Sequence, residues 1–391
     1  MNHFAMKSLA GVAVAAAAIF LVTPAVAQEA KLRVGLMLPA TGTFADLGSA
    51  TVNGFKLFVN ENGGKLAGRE VEYFTVDDES DPAKAVENAN KLIKRDKVDV
   101  LVGSIHSGVA LAMAKVARDS KTLLIVPNAG ADEITGPFCA PNTFRTSFSN
   151  WQPAFAMGKV LGDKKIQRVV TLTWNYLAGQ QYVEGFKESF EKSGGKVLKQ
   201  MALPFPDVEF QAQLTEIAAI KPDAVYVFFA GAGATKFVKD YVAAGLNKNI
   251  PLYASGFLTE GNLASMGEAG QGLYTTLHYG DGIKNPKNDA FRLNYVKTYK
   301  RQPDVYAVQG YDSAQLLLSG LKAVKGDINN RQELIKAMET ARIDSPRGAF
   351  TLSKAHNPVQ DFYLRKSSGN ENKVVDVAIK ALADPARGCK L

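Results

Sequence analysis

The chain has 391 residues, 46% hydrophobic and 21% charged, with a formal net charge of +8. The positive excess is spread evenly, and clusters such as Lys159 to Lys165 read as solvated helix ends, so no nucleic-acid partner is expected. No HExxH and no Cys/His group with metal spacing occurs, and no complete dinucleotide or phosphate loop is present, so neither metal nor cofactor is expected.

Residues 1–27 read as a secretory signal peptide. Lys7 supplies the charge, Leu9 to Val22 is apolar or small, and Ala25-Val26-Ala27 is a small-x-small cleavage site. The apolar run is shorter than the roughly 20 residues a spanning helix needs. No Cys stands at the cleavage point near Ala27, so the exported product is expected to be soluble and free of a lipid anchor. The rest of the chain exceeds the size of about 250–300 residues at which chains split into domains, so two domains are expected.

Strand-like runs at 32–38, 70–76, 98–103 and 122–126 alternate with helical patterns at 48–62, 82–95 and 108–119. This alternation predicts βαβ units around a parallel sheet. Thr143 to Thr146 then reads as a short crossing strand. The rhythm restarts with strands at 168–173, 196–201, 223–229 and 250–254 and helices at 180–192, 210–220 and 233–244. Helical segments at 286–300 and 304–324 precede strand-like pieces at 347–352, 359–366 and 374–379. Two α/β lobes, with a chain that crosses between them more than once, account for this order.

Four polar turns fall where parallel strands end, the place where open α/β sheets bind ligands. The first, Thr41 to Gly48, joins a buried strand to a helix and reads as a cradle for an anion. The second is Gly103-Ser104-Ile105-His106-Ser107-Gly108, in which Ser107 reads either as a helix N-cap or as a ligand contact. The third is Pro127-Asn128-Ala129-Gly130-Ala131, and the fourth is Trp174-Asn175-Tyr176, where packing competes with a cleft-facing role. The carboxylate run Asp77 to Asp81 before Pro82 suits helix capping better than metal binding. His106 beside Ser107 is the one visible nucleophile–base pairing, and adjacent residues at a helix start rarely converge for catalysis, so no enzyme is expected. In an oxidising compartment, Cys139 and Cys389 are expected to be bridged, tying the C-terminal tail to the loop near Gly136-Pro137.

Taken in order, Leu36 to Gly48, Asn62-Gly63-Gly64 with Gly68, Asp77 to Pro82, Val98 to Ser107, Arg145-Thr146, Ala243 to Leu246 and Gly267 to Leu273 carry a resemblance. The chain resembles the periplasmic solute-binding proteins of ABC importers, of the leucine/isoleucine/valine-binding type. The resemblance implies two doubly wound parallel-sheet lobes joined by three crossing segments. It places 28–147 with 278–353 in lobe 1 and 148–277 with 354–391 in lobe 2. It also implies a monomer in the periplasm that delivers its ligand to the permease subunits in the membrane.

In that family the ligand's carboxylate is held by the loops matching His106-Ser107 and Asn128 to Gly130. The family's acidic partner for an ammonium should fall within Ala254 to Leu258, and Phe257 occupies that slot. A buried ammonium without a counter-charge costs several kcal/mol. The aromatic residues Phe44, Trp174, Tyr176, Phe257 and Tyr306 instead fit a flat ring. The expected ligand is therefore a small aromatic carboxylate such as benzoate, a hydroxybenzoate or a phenylpropenoate. A branched-chain amino acid, an amide or urea is the alternative. The remaining candidate contacts are Leu47, Ser104, Ala129, Asn175 and Gly231.

Overall fold

The computed structural model describes Met1 and residues 31–391; apart from Met1, the expected signal peptide lies outside the described residues. The first sheet grows from βα units. In chain order these are β1 Leu32–Leu38, α1 Ala45–Glu61, β2 Lys65–Leu66, β3 Arg69–Asp77, α2 Pro82–Asn90, β4 Val100–Val102, α3 Ser107–Ser120, β5 Leu123–Val126, α4 Asp132–Thr135 and β6 Thr143–Arg145. Their order across the sheet is β2-β3-β1-β4-β5-β6, parallel throughout except for the short β2. β4 and β5 are wholly buried, as expected of strands covered on both faces.

The second lobe repeats the pattern with α5 Trp151–Asp163, β7 Arg168–Asn175, α6 Leu177–Lys192, β8 Lys196–Pro204, α7 Gln211–Ile220, β9 Ala224–Phe228, α8 Gly231–Ala243, β10 Leu252–Ser255, α9 Leu263–Met266 and β11 Tyr274–Leu277. The chain then returns to lobe 1 with α10 Pro286–Tyr299, α11 Val305–Ala323 and α12 Arg331–Glu339. It ends with β12 Thr351–Leu352, β13 Pro358–Ser368 and β14 Glu371–Leu382 on the second sheet, whose order is β12-β13-β11-β10-β9-β7-β8 with β14 beside β13. Helix α11 lies flush on α1: a Cβ on Gly54 would sit 1.8 Å from the Ala307 carbonyl oxygen, and one on Gly310 would sit 1.9 Å from that of Thr51. This close approach fixes the start of α11 over the cleft between the lobes.

Helix α5, which contains Pro153, is not among the helices expected from the sequence. The proline occupies the first turn, where no N–H partner is needed, so the helix forms. The piece at 347–352 forms a strand only at Thr351–Leu352, because its upstream half turns to deliver Arg347 to the crossings.

The chain passes between lobes over 145–151, 277–286 and 339–351. Buried arginines staple these passages. Arg347 donates to the carbonyl oxygens of Thr146 and Ser147 and to Gln360 Oε1, and its Nε lies 3.1 Å from Asp312. Arg145 donates to Asn357 Oδ1 and to the Ala131 carbonyl, and Asp384 lies 3.8 Å away. Arg365 binds Glu260 at 2.7 Å together with the carbonyl oxygens of Tyr279 and Gly256. Cys139 and Cys389 form a disulfide with Cα atoms 5.6 Å apart, which returns the C-terminal tail to lobe 1 as expected.

Candidate ligand-binding site

A cavity of about 300 Å³ lies between the lobes. Five helices open onto it. Phe44 is the N-cap of α1 and Leu47 lies in its first turn; Ser107 begins α3; Tyr176 caps α6 and Ala178 follows; Ala230 caps α8; Tyr306 is the second residue of α11. The positive ends of helix dipoles gather at such termini; the N–H groups of Gly108 and Val109 in α3 are taken by His106, and those of Val305 and Ala307 in α11 by Glu260 and Asp304. The lining contains no Asp, Glu, Lys, Arg or His. Any anion held here is held by neutral dipoles in a dry, aromatic box.

The turn after β1 is not the anion cradle its sequence suggests. Ala40 N and Thr41 Oγ1 donate to Asp77 at 2.8 and 2.7 Å, so those donors are spent inside the protein. Burial pushes the Asp77 carboxyl up, but these bonds and one from Glu79 outweigh it and hold the group below its ordinary value. The turn gives the cavity apolar surface instead, through Phe44 and Leu47. Its Thr43 reaches across the cleft, where Oγ1 accepts from Gly233 N at 3.3 Å.

In the second turn, the helix cap is His106 rather than Ser107. His106 Nδ1 accepts from Gly108 N at 3.2 Å and Val109 N at 3.4 Å. Its ring stacks on Tyr176 with centroids 4.7 Å apart and lies at the cleft mouth, outside the cavity lining. Burial pushes its pKa down to about 4, so the imidazole is neutral near pH 7 and is no cationic carboxylate donor. Ser104 is buried away from the cavity and donates to Asp78. Ser107 does face the cavity, and its Oγ accepts from Asn150 Nδ2 at 3.2 Å.

The third turn contributes Asn128 and Gly130, whereas Ala129 points away and donates its N–H to the Ser104 carbonyl. Asn128 Nδ2 is held by Gln309 Oε1 at 2.7 Å. A Cβ on Gly130 would lie 2.3 Å from Asn150 Oδ1 and 2.7 Å from Phe148, so the bare backbone is what lets the first crossing close over this loop.

From lobe 2, Tyr176 lines the cavity but its neighbours do not. Trp174 is fully buried behind it, wedged edge-on against Phe44, Phe205 and Phe229, with Nε1 donating to the Asp207 carbonyl. Asn175 is exposed on the outer side. Strand alternation explains the split: consecutive residues at a strand end point to opposite faces. Gly231 is not in the lining. It adopts φ +59°, and a Cβ there would lie 2.1 Å from the Thr43 carbonyl oxygen of the opposite lobe, which makes it the contact point of the closed cleft.

Phe257 lines the cavity and packs against Phe148 at 5.0 Å and Tyr306 at 5.9 Å. The next carboxylate along, Glu260, is already paired with Arg365 and accepts from Val305 N at 2.8 Å. The sequence reading missed Ile105, Phe148, Asn150, Ala178, Tyr182, Phe228 and Ala230. Ile105, Ala178 and Ala230 lie one or two positions from residues it chose, whereas Phe148, Asn150 and Phe228 stand further off. Tyr182, one turn into α6, carried no such signal.

Residues 31–372 match the family described as periplasmic binding protein. A solute-binding protein of an ABC transporter from R. palustris, solved with benzoate, is 52% identical and superposes with a TM-score of 0.91, covering 93% of this chain and all of that one. A second, from Rhodopseudomonas palustris BisB5 with 3,4-dihydroxybenzoic acid, is 31% identical with a TM-score of 0.86, covering 91% of this chain and 99% of its own. The Leu/Ile/Val-binding protein homolog 6 of Brucella melitensis is 28% identical over 364 residues, 91% of this chain and 92% of the relative. The two-lobed fold, the matched span and these likenesses agree, and the chain belongs to the periplasmic binding protein family.

Proposed function

We propose that this protein is the extracytoplasmic binding subunit of an ABC importer, that it captures a small aromatic carboxylate between its lobes, and that it hands the ligand to membrane permease subunits. It performs no catalysis on that ligand. The observation that carries the reading is the meeting of five helix N-termini on an aromatic cavity free of ionised side chains. Dipoles and N–H donors favour an anion there, and the rings around them favour a flat apolar body. Ser107 and the Gly130 backbone form the carboxylate end, with Asn150 orienting the Ser107 hydroxyl; Phe44, Leu47, Tyr176 and Phe257 grip the ring. Similar solved proteins hold benzoate and hydroxylated benzoates, which supports this ligand class.

The cavity between the lobes is small, which favours a benzoic acid over a longer phenylpropenoate. An α-amino acid fits poorly. Its ammonium would meet Phe257 and five inward-facing positive helix ends, with Glu260 already committed to Arg365. A thermal-shift panel of benzoic acids, phenylpropenoates, branched-chain amino acids, amides and urea tests the reading, since a ligand stabilises the state it binds. Stabilisation by benzoic acids and not by the others is expected. Stabilisation by leucine or urea alone would refute it.

A further inference from the structure

The cavity wall holds more hydrogen-bonding capacity than one carboxylate can use. Tyr182 and Tyr306 both line it, are 1% exposed, and have hydroxyls with no partner in the protein. A buried hydroxyl left unpaired is a standing cost that proteins rarely carry without a reason. The two tyrosines come from different lobes, on α6 and α11, and flank Phe257, with centroids 6.5 and 5.9 Å from it. Phe148 stands between Phe257, at 5.0 Å, and Gly130, which its ring nearly touches. Gly130, Phe148, Phe257 and the two tyrosines thus form one continuous wall, and the tyrosines lie within electrostatic reach of each other. A carboxylate accepts about four hydrogen bonds; the Ser107 hydroxyl and the backbone N–H groups of Ser107 and Gly130 are placed to supply donors at that end, while Asn150 Nδ2 is held by Ser107 Oγ and Gln181 Oε1.

We propose that Tyr182 and Tyr306 read a hydroxyl on the far side of the ligand's ring, so that the protein selects hydroxybenzoates over benzoate; this rests on the aromatic-carboxylate reading above. A phenol hydroxyl has one donor and two acceptor sites, so it donates to one tyrosine and accepts from the other. The C–H of benzoate can do neither, and binding it leaves both tyrosines unpaired. A site built around a substrate hydroxyl discriminates strongly against the analogue that lacks it.

The test is calorimetry with benzoate, 3-hydroxybenzoate and 4-hydroxybenzoate on the wild type, Tyr182→Phe, Tyr306→Phe and the double variant. Removing an unpartnered oxygen breaks no bond within the protein, so the ligand-free variants should melt no lower than the wild type. In the wild type, the better hydroxybenzoate should bind at least about tenfold tighter than benzoate. The double variant should lose that advantage, binding the hydroxybenzoates no more tightly than benzoate. Benzoate binding as tightly as both hydroxybenzoates would overturn the proposal, as would a double variant that loses benzoate as severely as the hydroxybenzoates. If no benzoic acid binds at all, the functional reading itself has failed.

Discussion

The hinge and the cavity lie a few residues apart and are built by opposite rules. The hinge is full of charge: Arg145, Arg347 and Arg365 are buried, and each has an acidic partner and donates to at least one backbone carbonyl. The cavity lining has no charge, and the hydroxyls of Tyr182 and Tyr306 remain unpaired. Spent charges hold a shape; free neutral dipoles wait for a ligand. Perturbing the first region should therefore move stability, and perturbing the second should move affinity.

Removing a hinge arginine gives the largest expected effect. Arg347→Met leaves Asp312 buried without its counter-charge and strands the Thr146 carbonyl of the first crossing, while Ser147 keeps its bond from Gln360. Breaking a buried pair from one side costs about 3–5 kcal/mol. Denaturant unfolding should show that loss, and the folded fraction should keep its affinity. A variant that unfolds like the wild type would show that the staple is idle.

His106 gives the next. Its folded pKa of about 4 lies below the ordinary 6.5, so between those values the unfolded chain binds more protons than the folded one. Stability from this residue is complete above pH 6.5 and is lost as pH falls towards 4. The full swing is about 3 kcal/mol. His106→Asn keeps a capping acceptor without the titration. Its stability should fall less steeply than the wild type's across that window, as read by unfolding at stepped pH. Parallel slopes would rule His106 out as the acid-sensitive group.

Gly231→Ala targets closure. Its Cβ would lie 2.1 Å from the Thr43 carbonyl oxygen of the opposite lobe, and such overpacking costs about 1–3 kcal/mol, beyond the backbone strain that φ +59° imposes on any alanine there. Affinity should drop, and small-angle scattering should show less compaction at saturating ligand than in the wild type. Unchanged affinity would mean that the lobes do not meet there on binding.

The two series of βα units, their parallel sheets and the disulfide were legible in the sequence because each rests on local pattern: apolar runs, helical periodicity, or a lone pair of cysteines. The site was legible in part. Turns that end parallel strands were found, yet three of their residues misled for one reason. The hydroxyls of Thr41 and Ser104 and the ring nitrogen of His106 are all satisfied within the protein, by Asp77, by Asp78 and by the start of α3. A polar turn signals a site only if its donors are left over, and that depends on tertiary partners remote in sequence. Phe257 was readable because it fills a slot where charge was expected. Tyr182 was not, since one more aromatic residue on a buried helix face looks like core.

The central claim is that neutral donors and helix ends, with no cation, hold a carboxylate. Calorimetry with benzoate and benzamide on the wild type and Ser107→Ala tests it most directly. A hydrogen bond to a charged group is worth roughly 1.5–3 kcal/mol, so benzoate should bind about ten- to a hundredfold tighter than benzamide. Ser107→Ala should erase most of that difference by weakening benzoate and leaving benzamide nearly unchanged. Equal affinity for acid and amide in the wild type would contradict the account and put amides in the carboxylate's place.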